Sequence, residues 1–373
     1  MLLGISRICR NNPSSTLSGT FSPVEKEFKF NPSPNGRRGR RPDEGLGLIF
    51  LQRCNPTRIL HEIQKGHEMK TKILIGPSSF AETDRTPFIR LQEAGYEVID
   101  NPYKRKLTKA ELFDLLTPDV IGIIAGLEPL DREVLQRSKL KVVSRVGSGM
   151  SNVDQQAAQE LNIAVRSTPN GPTEAVAELT VGALLSLLRM VPLMDRALHT
   201  GKWDKRIGVQ LEGKVVAIVG YGRIGRRVAE LLAPFHVRLL VVDPFLEQDA
   251  VPGVELLSLD AALPLADIVS LHSSGETCLL GKREFAQLKK GAFLLNVARG
   301  GLVDEPALIA ALDEGTVAGA WFDTFGTEPY IGPLCGRDNV VLTPHVGSYT
   351  LECRQGMENE AVDNLLEALG KCC

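Results

Sequence analysis

The chain has 373 residues, 43% of them hydrophobic, and a formal net charge of −2 at pH 7. This length is sufficient for two globular domains, and the balanced charge gives no support for nucleic acid or a membrane surface as a partner. No apolar run reaches the roughly 18 residues that a membrane-spanning helix needs. The seven cysteines are scattered and lack metal-ligand spacing, so we predict reduced thiols, a cytoplasmic location and no bound metal.

Residues 1–68 differ in composition from the rest of the chain. They contain 11 basic and 6 acidic residues, a net charge of +5, so the remainder carries −7. Proline, serine and asparagine cluster in this segment without sustained hydrophobic periodicity, and the first predicted strand of a domain begins only after Met69. We interpret residues 1–68 as a disordered extension. A transit peptide is the alternative, because Arg7 and Arg10 precede any acidic residue.

From Lys72 to about Ser167, short apolar strands alternate with helical stretches, which predicts a small parallel sheet. Gly147, Ser148 and Gly149 follow the fourth of these strands and precede a helix. They form either a plain turn or an amide-lined loop that holds an anion, such as a substrate carboxylate. We expect strands at residues 73–75, 97–99, 120–125, 141–146 and 164–166, and helices near 86–94, 109–116, 131–136 and 153–161.

Apolar residues recur at helical spacing over residues 173–194. This pattern predicts one long, largely buried helix that links the two halves of the chain. Its expected role is packing between domains or between subunits.

The stretch from Lys214 to Asp243 has the complete order of a dinucleotide-binding unit. An apolar strand, Val215–Val219, leads into the spacing G-x-G-x-x-G. A helix is expected over Arg223–Leu232, and a second strand, Leu239–Val242, ends at the acidic residue. The three glycines are Gly220, Gly222 and Gly225.

Each residue type in this unit has a physical reason. Gly220 allows the tight turn, Gly222 lets the backbone approach a pyrophosphate, and Gly225 lets the helix pack closely on the strand. The helix N-terminus offers unpaired N–H groups to the phosphates. Asp243 is placed to accept hydrogen bonds from ribose hydroxyls, and no arginine follows it directly. The sequence therefore predicts NAD rather than NADP.

Three polar side chains come just after later strands of the same unit: Arg299, Glu328 and His345. Open α/β sheets bind ligands beyond the carboxyl ends of their strands, so we expect these side chains to share a site. The expected strands lie at residues 267–271, 292–297, 318–322 and 340–342, with helices near 282–288, 305–312 and 352–369.

An arginine, a carboxylate and a histidine suit hydride transfer to or from a carbonyl. Reduction of a ketone requires a proton at oxygen, and histidine exchanges protons near neutral pH. A carboxylate bonded to the other ring nitrogen would fix the tautomer and stabilise the protonated ring. Arginine is permanently charged and forked, so it can hold a carboxylate and polarise the adjacent carbonyl.

Residues 70–373 resemble the D-isomer-specific 2-hydroxyacid dehydrogenases, especially the short, phosphoglycerate dehydrogenase-like members. Six separated motifs carry this resemblance in order along the chain: RVGSGMSNVD, STPNGPTEAVAELT, VGYGRIGRRVA, NVARGGLVDEPAL, FDTFGTEP and LTPHVG.

The resemblance implies roles for the matching residues. His345 would be the acid/base, Glu328 its partner and Arg299 the substrate clamp, while the backbone of Gly147, Ser148 and Gly149 would hold the substrate carboxylate. The implied cofactor residues are Arg223 and Ile224 at the pyrophosphate, Asp243 at the ribose, Ser273, Val297 and Ala298, Asp323 near the nicotinamide amide, and Gly347.

The resemblance also implies an α/β architecture with two parallel sheets. Residues 169–345 would form a Rossmann NAD-binding domain. Residues 70–168, completed by 346–373, would form a flavodoxin-like substrate domain. The active site would lie in the cleft between them, and the protein would be a homodimer.

Several positions depart from the family pattern. Ser151 replaces an aspartate in the loop after Gly149, and Pro172 and Ala175 replace a frequent asparagine and serine. Residues 125–127 read Ala-Gly-Leu where phosphoglycerate-specific members often carry an Arg-Ser pair, which weakens the case for a phosphorylated substrate. Formate dehydrogenases of the superfamily have glutamine where Glu328 stands, which argues against formate.

We therefore expect an NAD-dependent oxidoreductase that interconverts a small D-2-hydroxy acid and its 2-keto acid. The favoured substrate is 3-phosphoglycerate, and glyoxylate, hydroxypyruvate or a D-lactate-like acid is the alternative. An alternative of another class is an NAD-sensing, corepressor-like binding protein.

Overall fold

Two parallel β-sheets organise the residues that the computed structural model describes, which are 71–247, 254–275 and 277–370. The predicted extension, residues 1–68, lies outside the described residues. Helices connect most of the successive strands of both sheets, so the predicted α/β class with two parallel sheets is confirmed.

The first sheet has five parallel strands in the order β2-β1-β3-β4-β5, which is the flavodoxin-like order. Side-chain caps begin three of its helices: Thr108, Asp131 and Asp154 each accept a hydrogen bond from the first turn. The strands are β1 (Lys72–Ile75), β2 (Glu97–Ile99), β3 (Val120–Ala125), β4 (Val142–Arg145) and β5 (Ala164–Ser167). The helices are α1 (Thr86–Glu93), α2 (Lys109–Leu115), α3 (Arg132–Arg137) and α4 (Gln155–Glu160).

The second sheet has seven parallel strands in the order β12-β11-β10-β9-β6-β7-β8, the doubly wound order of dinucleotide-binding sheets. The strands are β6 (Val215–Val219), β7 (Arg238–Val242), β8 (Glu255–Leu256), β9 (Ile268–Leu271), β10 (Ala292–Asn296), β11 (Val317–Phe322) and β12 (Val340–Leu342). The remaining helices are α5 (Pro172–Leu188), α6 (Val191–His199), α7 (Arg223–Leu232), α8 (Leu259–Ala262), α9 (Lys282–Phe285), α10 (Glu305–Asp313) and α11 (Leu351–Ala368).

The prediction of one helix over residues 173–194 was wrong. Helix α5 ends at Leu188, and α6 begins at Val191 with a bend of 66° between them. Met190 adopts a left-handed backbone with φ of 51°, and Pro192 lies in the first turn of α6. Proline lacks a backbone N–H and clashes with the preceding turn, so it is tolerated only where a helix begins. Within the described ranges, no single helix is long and apolar enough to cross a membrane, although the bent pair of α5 and α6 meets these criteria when taken together.

Helix α11 packs on the five-stranded sheet, although almost 200 residues separate it from the end of β5. Leu365 and Met357 are buried with Ile73 and Val142 in one apolar cluster. The Ser144 hydroxyl on β4 donates a hydrogen bond of 2.7 Å to a backbone carbonyl of α11. The end of the chain that the structure describes is therefore part of this sheet's core.

We predict that Leu365→Ala lowers the free energy of unfolding by about 2–5 kcal/mol, because it leaves a cavity against β3 and β4. Urea denaturation measures the change. The matched control is Glu367→Ala, an exposed position on the same helix, for which we expect less than about 0.5 kcal/mol. Equal effects at both positions would contradict the packing of α11.

Candidate active site

Two connected cavities lie beyond the carboxyl ends of β4, β10, β11 and β12. The loop cavity, about 270 Å³, is bordered by the loop that follows β4 and by the ends of three strands of the larger sheet. The distal cavity, about 620 Å³, shares several lining residues with it and extends past Glu328 and His345. The predicted site residues that line the loop cavity are Gly147, Ser148, Gly149, Ile224, Val297, Arg299, Asp323, Glu328, His345 and Gly347. The others do not line it: Gly220, Gly222, Arg223, Gly225, Asp243, Ser273 and Ala298.

His345 and Glu328 form a hydrogen-bonded pair at this site. His345 Nδ1 lies 2.9 Å from one carboxylate oxygen of Glu328 and 3.1 Å from the other. Burial opposes the charge of Glu328, but the hydrogen bond and charge of His345, together with the Phe325 amide and Lys106, lower its pKa. Because the pKa of Glu328 is lowered, its ionised form contributes fully to folding stability at pH values above the usual glutamate pKa. This contribution is lost as the pH falls through the lowered pKa of Glu328. The bond fixes Nδ1 as the inner nitrogen and leaves Nε2 for a ligand.

The carboxylate of Asp323 holds the loop that carries His345. One oxygen accepts hydrogen bonds from the Thr343 hydroxyl at 2.6 Å and the Val346 amide at 2.9 Å. The other oxygen accepts from the Gly347 amide at 2.8 Å. Asp323 and Gly347, both predicted to contact a cofactor, thus also bind each other.

A hydrogen bond from a buried tryptophan also fixes the start of this loop. The Trp321 indole donates to the Thr343 hydroxyl at 3.0 Å, so this hydroxyl links a fully buried aromatic ring on β11 to Asp323. His345 itself has a left-handed backbone with φ of 54°, which is unfavourable for a non-glycine residue. The network around Asp323 therefore fixes a strained backbone at the predicted acid/base residue.

Arg299 is positioned by the turn after β10. Asn296, fully buried at the end of the strand, donates to the Arg299 carbonyl at 2.9 Å and accepts from the Ala298 amide at 3.1 Å. The Arg299 guanidinium donates to the Ala298 carbonyl at 2.6 Å. It lies so close to Gly149 that a Cβ there would overlap it.

The loop of residues 147–149 only partly matches its predicted role as a carboxylate-binding turn. The Gly147 amide already donates to the Thr168 hydroxyl at 2.7 Å, so it is not free for a ligand. The Ser148 and Gly149 amides have no hydrogen-bond acceptor among the described residues. The part of the loop that carries these two amides therefore remains suited to binding an anion.

The glycine turn after β6 fits a dinucleotide. Gly220 has φ of 93°, and a Cβ there would overlap the backbone of Ser273. A Cβ on Gly225 would overlap the Gly220 carbonyl, whereas nothing lies within 4 Å of a Cβ on Gly222, where the backbone is open. Asp243 accepts from the Tyr221 amide at 2.8 Å and thereby ties the end of β7 to this turn.

Buried polar atoms without partners border the glycine turn and the loop cavity. The hydroxyls of Ser273 and Thr324 and the Nδ1 atom of His272 have no hydrogen-bond partner among the described residues. Unpaired buried polar atoms are rare in folded proteins, so such atoms beside a nucleotide turn are consistent with a bound polar ligand. No group of three or more His, Cys, Asp or Glu side chains suited to a metal ion occurs in the part of the chain that the structure describes.

Sequence reasoning missed four polar residues of the site: Asn296, Thr343, Arg145 and Lys106. Asn296 ends an otherwise apolar strand, AFLLN, and Arg145 follows Ser144 at the end of the strand VVSR. A polar residue at the end of a buried strand was the available signal. Thr343 lies within the LTPHVG motif without a role of its own. No pattern distinguishes Lys106 from its basic neighbours, because only the fold brings it to the cavities.

Comparisons with known proteins give consistent similarities. Residues 181–347 match the family description "D-isomer specific 2-hydroxyacid dehydrogenase, NAD binding domain". The chain is 38% identical over 273 residues to D-3-phosphoglycerate dehydrogenase of Rattus norvegicus, covering 71% of this chain and 51% of that protein. It is 40% identical over 257 residues to glyoxylate reductase of Thermofilum pendens, covering 65% of this chain and 76% of that protein.

The solved structure of the TT0316 protein from Thermus thermophilus superimposes with a TM-score of 0.74 at 35% identity, covering 81% of this chain and 98% of that one. The chain thus spans about half the length of the phosphoglycerate dehydrogenases that it matches.

We predict that Asp323→Asn loosens the His345 loop, because an amide group replaces one of the two acceptor oxygens. Hydrogen exchange at the Val346 and Gly347 amides should accelerate at least about tenfold, as expected when a buried hydrogen bond is lost. The control is Asp338→Asn, a largely exposed aspartate paired with Arg196. Unchanged protection of both amides in the Asp323 variant would show that its carboxylate does not hold the loop.

Proposed function

The chain belongs to the D-isomer-specific 2-hydroxyacid dehydrogenase family, and we propose that it interconverts a D-2-hydroxy acid and its 2-keto acid with NAD as the redox cofactor. The observation that carries this proposal is the His345–Glu328 pair in one cavity with Arg299 and the loop of residues 147–149. An acid/base, a fixed cation and an anion-binding loop are what reduction of a 2-keto acid requires.

His345 is the proposed proton donor during reduction. Its Nδ1 is occupied by Glu328, so Nε2 is the atom that gives a proton to the substrate oxygen and takes it back in the reverse direction. The Glu328 carboxylate orients the ring for the transfer. The hydrogen bonds that Asp323 accepts from the Val346 and Gly347 amides hold the loop that carries this ring.

Arg299 is the proposed clamp for the substrate carboxylate. Its guanidinium lies against Gly149, so the carboxylate would bind between this side chain and the free amides of the loop. The same positive charge polarises the neighbouring carbonyl and stabilises the negative charge that develops on its oxygen.

The turn from Gly220 to Gly225 and Asp243 are the proposed holders of the cofactor. The open backbone at Gly222 leaves space for the pyrophosphate, and the Asp243 carboxylate has lone pairs left for ribose hydroxyls. When bound, NAD supplies the hydride acceptor and NADH the hydride donor. Ser273 offers an unpaired hydroxyl beside this turn, and Thr324 offers one at the loop cavity.

For the substrate itself we favour 3-phosphoglycerate, with glyoxylate or hydroxypyruvate as the second candidate. The first is supported by the similarity to phosphoglycerate dehydrogenases and the second by the 40% identity to a glyoxylate reductase. We propose a cytoplasmic location, supported by the free thiols of Cys278, Cys335 and Cys353.

We predict that His345→Asn reduces turnover of the preferred keto acid by about 10²–10⁴-fold, as expected for loss of an acid/base. Asparagine tolerates the left-handed backbone, and NADH affinity, measured by fluorescence titration, should change less than about twofold. His236→Asn is the matched control, because His236 also has φ of 54° but lies outside both cavities. If His345→Asn weakens NADH binding as much as turnover, the histidine serves the fold and not proton transfer.

We also propose a homodimer, formed through α6 and the segment after it. Helix α6 has no buried residue, and four large apolar side chains are exposed along residues 191–207. They are Val191, Leu198, Trp203 and Ile207. An apolar stretch of this extent on a folded chain indicates a protein interface, and a second copy is the occupant expected for this family.

We predict that the double substitution Trp203→Glu and Ile207→Glu converts a dimer to a monomer in sedimentation equilibrium, because it places two charges in the apolar contact. Phe245→Glu is the matched control, since Phe245 is comparably exposed and lies after β7. A dimer that persists in the double variant, or a wild type that is monomeric, would contradict this interface.

A further inference from the structure

Two arginines flank the loop of residues 147–149. A Cβ on Gly147 would overlap the guanidinium of Arg145, and a Cβ on Gly149 would overlap that of Arg299. Both glycines therefore make room for a positively charged group. The proposed function gives Arg299 a partner, the substrate carboxylate, but it leaves Arg145 without one.

Arg145 is a buried cation without a counterion among the described residues. It is 8% exposed, its Nη1 donates to the Val146 carbonyl, and its Nε has no hydrogen-bond partner there. Burial, together with the neighbouring charges of Arg299 and Arg354, lowers its pKa to about 10, and Glu128 offsets only part of this. No carboxylate in the described part of the chain lies within 4.0 Å of its guanidinium. A buried charge in this state is unfavourable unless an anion binds to it.

Lys106 is the second cation at the same place. It lines both cavities, and its charge acts on Glu128 and Glu328. Its basic neighbours are already paired, Lys104 with Asp100 and Arg105 with Glu111, whereas Lys106 has no ion pair among the described residues.

The remaining charges of the distal cavity already have partners. Glu128 is buried, accepts from the Gly126 amide at 2.9 Å, and has a pKa raised by burial. Glu328 is bonded to His345, and Arg354 is paired with Glu358 at 2.6 Å. Within the described ranges, the unpaired charge that borders both cavities is therefore positive.

The two cavities indicate which part of a bound substrate would lie next to Arg145 and Lys106. A 2-keto acid held by Arg299 and the loop would occupy the loop cavity. The end of the keto acid far from the carbonyl would extend into the distal cavity, past Arg145 and Lys106. These two side chains line both cavities. Glyoxylate has no far end and would leave both cations unpaired.

We propose that Arg145 and Lys106 bind a second anionic group, a phosphate or a carboxylate, at the end of the substrate far from the reacting carbonyl. This inference rests on the proposed function and narrows its substrate class to 2-keto and D-2-hydroxy acids with an anion at each end. Glyoxylate, pyruvate and hydroxypyruvate are then poor substrates.

The test compares kcat/KM of the full chain with two matched pairs of keto acids. Phosphohydroxypyruvate is paired with hydroxypyruvate, and 2-oxoglutarate with 2-oxopentanoate, which has the same carbon chain without the far carboxylate. We expect the wild type to prefer at least one doubly anionic acid by about tenfold or more, the size expected for hydrogen bonds to a charged group. The pair with the larger ratio identifies the group as phosphate or carboxylate.

Arg145→Met and Lys106→Met should each reduce that ratio by about tenfold, mainly through KM, with a smaller effect on the singly anionic acids. Arg145→Lys keeps the positive charge but lacks the forked guanidinium. Its ratio of kcat/KM values should therefore lie between those of the wild type and of Arg145→Met. The controls are Lys104→Met and Arg166→Met, exposed residues of the same loop and the neighbouring strand that line neither cavity. Thermal unfolding shows whether each variant is folded.

Turnover of all four acids without preference would overturn this inference and leave the proposed function intact. An equal loss for all four acids in both Arg145 variants would also overturn it, because it would make Arg145 a structural residue. Failure of every keto acid to oxidise NADH would remove the proposed function and this inference with it.

Discussion

The site depends on one buried carboxylate, that of Asp323. It accepts three hydrogen bonds from residues 343–347, and the segment between them carries His345 in a left-handed conformation. Leaving these buried and part-buried donors unpaired would be costly, so the loop has one strongly favoured arrangement. Because Asp323 directly follows β11, the position of His345 is set by the end of a strand of the larger sheet.

The chemistry of the cleft follows from where parallel strands end. Strands β10, β11 and β12 are adjacent, so the residues that follow them are brought to one edge although up to 46 positions separate them in the chain. The loop after β4 of the other sheet meets this edge, and its two glycines accommodate Arg145 and Arg299. Positive charge is thereby concentrated beside a histidine–carboxylate pair, which suits an anionic substrate whose carbonyl gains and loses a proton.

Much of the fold could be predicted because strands and turns leave local patterns. The strands at residues 97–99, 120–125, 215–219 and 340–342 were predicted to the residue, because each is a short, mostly apolar run between turns. Strand β8 and helix α8 were missed, since two and four residues are too few to show a period. The long helix was predicted across Pro192 because apolar spacing continues beyond the break. The domain boundaries and the roles of the site residues remain predictions.

The sequence by itself determined the fold class and the glycine turn for a dinucleotide, and it predicted that Arg299, Glu328 and His345 share one site, because these features reside in short motifs with fixed spacing. Only the tertiary structure decided which groups are already paired. It showed that the Gly147 amide is used by Thr168, that Asp323 binds the His345 loop, and that Arg145 is buried with no counterion in the described part of the chain. The reason is physical: a motif names the donors and acceptors of a site, but their partners come from distant segments that meet only when the sheets pack.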